Sequence, residues 1–151
     1  VAVVRLSPSV HGKGDLIGFV PTLINIAKQK GISAIINDVN NFWPAVHRLD
    51  AAKLYRLVLE KPFKNGTRYH AVAEQGIPFK DIATLIAERL DVSVISLANE
   101  EAIGHFGWFA HFAKLDNLTS SEETRAILGW NPQHPTLMED LQSDVYFSEP
   151  Q

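Results

Sequence analysis

Six histidines and no cysteine set the chemistry open to this chain. Without cysteine there is no disulfide, no thiolate nucleophile and no Cys-ligated zinc. His11, His47, His70, His105, His111 and His134 form neither an HExxH pattern nor a pair at i,i+4, so their spacing predicts no metal site. His11 and His47 differ from the rest. Each falls at the end of a predicted strand, and ligands of open α/β sheets bind beyond the carboxyl ends of the strands. They are the candidates for lining a pocket. Phe42 and Trp43 follow the polar loop Asn37–Asn41 and read as the apolar wall of such a pocket, Trp43 above all. Phe106 and Phe109 read as core. Arg5 stands on an apolar strand, so it is expected to be buried and paired. Glu100–Glu101 and Glu122–Glu123 fall at helix starts, where carboxylates favour the helix dipole; they form no catalytic pair. There is no GxGxxG, P-loop or GxSxG, and Gly12–Lys13–Gly14 reads as a plain turn.

The elements that must carry these residues follow from periodicity. An apolar run, Ala2–Val4, reads as a buried strand leading through Arg5–Leu6 into a Ser/Pro/Gly loop. Leu16, Phe19, Val20, Leu23, Ile24 and Ala27 keep helical spacing. The helix is placed from about Phe19, with Gly18 before it, Pro21 in its first turn and Gly31 past its end. Ser33–Ile36 reads as a strand and Ala45–Arg48 as extended, with Pro44 suited to an edge or a strand start. Asp50 reads as the N-cap of a helix over Ala51–Glu60, stopped by Pro62. Tyr69–Ala73 is a strand, parallel to the first. Pro78 is taken as a first-turn proline of helix 79–90. Val92–Leu97 is a further strand, paired with Ser33–Ile36 in a separate small sheet. Asn99 caps a short helix to His105, and 108–115 reads as helical. Two capping boxes, Ser120…Glu123 and Thr136…Glu139, open helices ending near Leu128 and Val145. Pro150–Gln151 reads as a free tail.

At 151 residues the chain has the size of one domain with a real core. With 46% hydrophobic and 21% charged residues it has the composition of a soluble globular protein. A net charge of −3 gives no general case for nucleic-acid or membrane binding. No apolar run approaches the ~20 residues of a membrane span, and no signal-peptide pattern is visible. With the lack of cysteine, this leads to the expectation of a cytoplasmic protein. The order of strands and helices argues α/β.

Several segments, taken in order, carry a resemblance. A strand with Arg5–Leu6 ends in Ser9–Val10–His11–Gly12. Val46–His47–Arg48–Leu49–Asp50–Ala51–Ala52 follows an aromatic-rich loop. Then come Tyr69–His70–Ala71–Val72, Pro78–Phe79–Lys80–Asp81–Ile82–Ala83, Thr124–Arg125 and Leu128–Gly129–Trp130–Asn131–Pro132. This set resembles the C-terminal half of extended or atypical short-chain dehydrogenases/reductases, the NAD-dependent epimerase/dehydratase-like group. The resemblance covers roughly Ala2 to Phe147.

The resemblance implies a fold: the C-terminal part of a Rossmann-like doubly wound sheet plus a small α/β substrate-binding lobe. It implies that Pro8, Ser9 and Val10 lie near the nicotinamide, with His11 at its margin. It implies a substrate pocket shaped by His11, Phe42, Trp43, His47 and Arg48. His47 and Asp50 match the family's segment before the substrate-lobe helix, while Arg48 and Leu49 depart from it. Trp43 stands where nucleotide-sugar members commonly carry an arginine, which favours an uncharged or smaller substrate. The family's glycine-rich turn and Tyr-x-x-x-Lys pair lie N-terminal to such a segment. Here Tyr55, Tyr69 and Tyr146 are followed four residues later by Leu59, Ala73 and Pro150. No catalytic residue is therefore expected in the chain. Residues 1–151 are expected to be the substrate-side portion of an NAD(P)-binding protein whose dinucleotide-binding part is absent. NAD or NADP would be held by the full-length parent, and the partners would be a small-molecule substrate and the missing N-terminal half or a second copy. The leading expectation is an oxidoreductase or epimerase-like parent, inactive in this portion alone. The alternatives are a non-catalytic NAD(P)-binding redox-sensing regulator and a free-standing α/β binding domain.

Overall fold

Parallel strand pairing dominates the fold. A computed structural model describes residues 1–148, so Pro150–Gln151 lie outside the described residues. Strand β1 (Val3–Leu6) is followed by β2 (Ser9–His11), α1 (Phe19–Lys30), β3 (Ile32–Ile36), β4 (Phe42–His47) and α2 (Arg48–Glu60). Then come β5 (Arg68–Ala71), β6 (Glu74–Pro78), α3 (Phe79–Leu90), β7 (Ser93–Leu97) and α4 (Asn99–Phe106). A 3-10 turn at Gly107–Phe109 leads into α5 (Ala110–Ala113), α6 (Glu122–Leu128) and α7 (Leu137–Gln142).

β1 pairs with β5 in parallel and β3 pairs with β7, as the sequence leads one to expect, and the β3–β7 pair is parallel too. The third sheet has the order β2–β4–β6, parallel at β2–β4 and antiparallel at β4–β6. One apolar core joins α1, α3, β3 and β4 through Val20, Leu23, Trp43, Phe79 and Ile82. A second, holding Val46, Leu54, Tyr69, Leu128 and Trp130, packs α2 against β5 and α6.

Helix α1 begins and ends where the glycines place it: Gly18 is its N-cap and Gly31 its left-handed C-cap. The span of α3 and the closure of α6 by Gly129 in a left-handed conformation also follow the sequence pattern.

Elsewhere the structure departs from local signals. Pro44 lies in β4, the central strand of its sheet, rather than on an edge. It is tolerated because the β4–β6 register shifts between Trp43 and Ala45, and a residue without an N–H fits an irregularity that needs no ladder donor. Strand β6 carries no alternation in Glu-Gln-Gly-Ile-Pro and is absent from the sequence reading; it forms because β4 offers it an edge. Pro78 is therefore the last residue of β6 and the N-cap of α3, not a first-turn proline.

The cap of α2 is His47, whose Nδ1 accepts from the Leu49 N–H at 3.2 Å. Arg48 opens the helix and is not extended, and Asp50 is its third residue, not its cap. In α6 the cap is Ser121, and Ser120 only accepts the Glu122 N–H. The Thr136…Glu139 box forms as expected, but α7 stops at Gln142 rather than near Val145. Ala98, not Asn99, precedes α4 at the cap position. Arg5 is exposed, and so is most of β1, because β5 is that strand's only neighbour among the described residues. No helix among the described residues is long and apolar enough to cross a membrane.

Candidate functional site

The register of β2 against β4 sets Ser9 beside Ala45, Val10 beside Val46 and His11 beside His47. Both histidines thus emerge together at the C-terminal ends of parallel strands. Their rings meet edge-to-face with centroids 5.4 Å apart. His11 is 1% exposed and His47 8% exposed. Burial costs imidazoles their charge: it outweighs the pull of Asp140 on both rings and holds each below the usual imidazole range.

Asp140, from α7, joins the two. Its Oδ2 lies 2.5 Å from His11 Nδ1 and 3.8 Å from His47 Nε2. Since His47 Nδ1 accepts the Leu49 N–H, its proton sits on Nε2, directed at Asp140. His11 donates from Nδ1 to the same carboxylate, which leaves Nε2 as its basic atom. That atom has no hydrogen-bond partner among the described residues, and Glu74 Oε2 stands 3.9 Å away. Burial pushes the Glu74 carboxyl up, with the neighbouring Glu139 and Asp140 adding to the shift. A raised carboxyl facing a depressed imidazole can hold one proton between them.

Around this pair lies a second layer. The His47 ring stacks on His134 at 4.9 Å, with the planes 9° apart. His134 Nδ1 donates to Asp50 Oδ1 at 2.8 Å. The Asp50 carboxylate also accepts from the Gln133 and His134 backbone N–H groups. Burial alone would raise Asp50, but these hydrogen bonds outweigh it and hold the carboxyl below the usual carboxylate range. Trp130 Nε1 donates to the Asp50 carbonyl, so the Trp130–Pro135 segment is tied to α2. Beside His134 and Asp140 opens a shallow depression of about 600 Å³. A larger groove, about 930 Å³, lies away from both histidines, between the β1–β5 pair and α6.

The loop after β2 covers the ends of both strands, and glycine is required there. Gly12 and Gly14 have φ of 125° and 91°. A Cβ on Gly12 would come 2.6 Å from His47 Nε2, and one on Gly14 2.7 Å from Arg48 Nη1. Gly12–Lys13–Gly14 is thus a close approach of backbone to the site. Arg48 is exposed, and its Nη1 donates to the Lys13 carbonyl.

The remaining candidates fall elsewhere. Pro8 and Val10 are half-buried on either side of Ser9, which is buried and whose hydroxyl has no hydrogen-bond partner among the described residues. Phe42 is half-buried at the start of β4. Trp43 is fully enclosed by Phe19, Phe79 and Phe109, which places it in the core rather than on a pocket wall. At roughly 3.3 Å per residue, Trp43 sits about 13 Å along the strand from His47. The structure therefore unites His11, His47 and Arg48 and leaves Phe42 and Trp43 at the far end of β4. Sequence reasoning missed Asp15, Glu74, His134, Asp140 and Tyr146 as site residues. No group of three or more His, Cys, Asp or Glu residues among those described is arranged to hold a metal ion.

No known protein-family profile matches the chain. Two curated relatives do. The uncharacterized protein C2A9.02 of Schizosaccharomyces pombe is 57% identical over 146 residues, 97% of this chain and 49% of its own length. The uncharacterized protein YLL056C of Saccharomyces cerevisiae is 54% identical over 142 residues, 94% of this chain and 47% of its own. The chain spans about half the length of the curated relatives it matches.

Among solved structures, the dTDP-glucose 4,6-dehydratase DesIV from Streptomyces venezuelae, with NAD and TYD bound, matches 97% of this chain with a TM-score of 0.70. The identity is 17%, and 43% of that enzyme is covered. The UDP-glucose 4-epimerase of Thermus thermophilus, in complex with NAD, matches 95% of this chain and 45% of its own, with a TM-score of 0.63 and 17% identity. At such identity the likeness is one of fold. The chain has the Rossmann-like α/β fold of these enzymes, over less than half of their length.

Proposed function

We propose that the chain is the substrate-side portion of an NAD(P)-dependent oxidoreductase or epimerase-like enzyme acting on a hydroxyl or carbonyl carbon. The observation that carries this reading is the convergence of His11 and His47 at the C-terminal ends of β2 and β4. That is where open α/β sheets bind ligands, and the fold is one whose solved examples hold NAD. The residues present fit one end of a dinucleotide. Pro8 and Val10 offer half-buried apolar surface suited to the face of a nicotinamide, with the buried Ser9 between them. Nothing in the chain has the form of a glycine-rich pyrophosphate turn. Binding of the phosphates, and the Tyr-x-x-x-Lys pair, are therefore assigned to a dinucleotide-binding part outside these residues.

A bound nicotinamide would supply the hydride donor or acceptor. In this reading the chain's own residues bind and orient. Pro8, Ser9 and Val10 border the nicotinamide, while His11, His47 and Arg48 border the substrate. With Asp15, Asp50, Glu74 and Asp140 close to the histidines, an uncharged or small substrate suits the site better than an anionic nucleotide sugar. The test compares this 151-residue chain with the full-length relative C2A9.02, about twice as long. The longer protein is expected to quench or shift NAD(P)H fluorescence and to oxidise it with a panel of aldehydes and ketones; the chain alone is expected to do neither. Turnover by the chain alone would overturn the proposal. Tight NAD(P)H binding by the longer protein without turnover would favour the redox-sensing alternative.

A further inference from the structure

The C-terminal segment reaches back to the loop after β2 at one residue after another. Asp140 Oδ2 accepts a hydrogen bond from His11 Nδ1 across 129 positions of sequence. The next residue, Gly12, donates its backbone N–H to Tyr146 Oη at 3.0 Å. The Tyr146 hydroxyl donates in turn to Asp15 Oδ2 at 2.9 Å, and Asp15 Oδ1 accepts the Gly18 N–H at 3.0 Å. The same segment is fixed from the other side, where the Leu137 N–H donates to Glu74 Oε2 at 2.9 Å.

These ties are an expensive way to fasten a helix. A buried carboxylate and imidazole lose hydration that apolar packing would never require, and such pairs are often replaceable by well-packed apolar residues without loss. Leu137 and Leu141 already supply apolar packing to α7. The polar ties converge on the backbone and side chains of 11–18, and between their anchor points Leu16 and Ile17 are held out into solvent, 79% and 94% exposed. The arrangement sets the loop's conformation and the histidine's protonation pattern more than it adds adhesion.

We propose that Asp140 and Tyr146 are positioning residues of the site: Asp140 fixes His11 as its Nδ1–H tautomer, and Tyr146, through Gly12 and Asp15, fixes the loop 12–18. This rests on the reading of the His11–His47 cluster as the substrate-side site. The charged and titratable groups around His11 are Asp140 and Tyr146 from the C-terminal segment, His47 from β4, Glu74 from β6 and Asp15 from the loop. Among them only Asp140 hydrogen-bonds the ring. A carboxylate there can accept but not donate, so the tautomer follows from Asp140 alone.

The experiment is nitrogen-15 NMR of the histidine side chains and backbone amides of the labelled chain. In the unsubstituted chain His11 is expected as the Nδ1–H tautomer at neutral pH. In Asp140→Ala, which leaves Nδ1 without an acceptor, the Nε2–H tautomer of a free imidazole is expected to become the major form. In Tyr146→Phe, which keeps the ring, hydrogen exchange at the Gly12 amide is expected to rise about five- to tenfold, the loss of one hydrogen bond. Amides of α3 should keep their protection. An Nε2–H tautomer in the unsubstituted chain, an unchanged tautomer in Asp140→Ala, or unchanged Gly12 exchange in Tyr146→Phe each overturns the assignment. The tautomer of the unsubstituted chain and the Tyr146→Phe exchange do not depend on Asp140→Ala folding. A longer protein without turnover, with the tautomer as expected, would sink the enzymatic reading and leave the positioning role standing. In a longer protein that does turn over, Asp140→Asn should lower kcat more than it raises KM.

Discussion

Strand β4 is buried at both ends, and its two ends are built from opposite chemistry. At the N-terminal end Trp43 lies among Phe19, Phe79 and Phe109, with ring centroids 4.9 to 6.0 Å away. At the C-terminal end His47 lies among His11, His134, Asp140 and Asp50. Aromatic packing of the first kind stabilises through area and shape, although the indole brings one buried N–H, Trp43 Nε1, without a partner among the described residues. The second kind is held chiefly by hydrogen bonds, and losing a partner there costs the desolvation of the group left unpaired. A strand that needed only to hold its sheet would repeat the first solution. That the polar solution stands at the carboxyl end, where α/β folds place ligands, is the physical argument for reading that end as the site.

The sharpest way to break this comparison is at Trp43. Replacing it with Ala removes a fully enclosed indole and leaves a cavity against three phenylalanines. The expected loss is about 3–5 kcal/mol of unfolding free energy, read by urea titration. Trp43 Nε1 has no hydrogen-bond partner among the described residues, so Trp43→Phe should recover most of that loss. Equal damage from both substitutions would mean that the apolar end also depends on a polar contact.

At the other end Asp50→Asn keeps the shape of the side chain and removes its charge. The carboxylate accepts from the Gln133 N–H, the His134 N–H and His134 Nδ1. A loss of roughly 1.5–3 kcal/mol is expected at neutral pH, the range for hydrogen bonds to a charged group. The pH dependence gives the sign. The folded-state pKa of Asp50 is depressed, so its contribution is fully present above the ordinary aspartate value, about 3.9, and disappears as pH falls through the folded value. The gap between the parent chain and Asp50→Asn should therefore close in acid. A gap that persists at pH 2 would show that packing, not charge, was lost.

The two ends were also unequally legible in the sequence. His11 and His47 stood out because a short apolar run followed by a polar residue marks a strand end, and strand ends are where sites form. The strands of the β1–β5 and β3–β7 pairs were legible from their short apolar runs, while the parallel direction of β3–β7 was not, because periodicity records no pairing. Asp140, Tyr146 and His134 were not, because they reach the site through the return of the chain, which no period records. The one available signal was the Thr136…Glu139 box: it fixes the first turn of α7 and so the face on which Asp140 lies. Glu74 was hidden because β6 exists only by pairing with β4, and Gly76 and Pro78 argued against a strand there. Trp43 misled in the opposite direction. A large aromatic after a polar loop reads as a pocket wall, yet Trp43 shares the core-facing side of β4 with Ala45, where α1 and α3 cover it. Asp50 was read as a cap because aspartate favours that place, while His47 holds it by accepting the Leu49 N–H.

The smallest expected effect is the most particular to the polar end. His11 and His47 have folded-state pKa values below that of an unfolded histidine. Below about pH 6.5 the unfolded chain therefore binds protons that the folded chain refuses, so these two residues make stability rise with pH up to that point. Glu74 acts against them. Burial raises its folded-state pKa, so the folded chain holds a proton that an unfolded glutamate has released above about pH 4.3, and its contribution to stability falls as pH rises through that window. The slopes oppose one another where their windows meet, between about pH 4.3 and 6.5. Glu74→Gln removes the opposing slope while its amide oxygen still accepts the Leu137 N–H. Its stability, measured by urea titration across that range, should rise more steeply with pH than that of the unsubstituted chain. A shallower or inverted slope would mean that Glu74 and His11 titrate independently of their burial, and the contrast between the two ends of β4 would lose its electrostatic half.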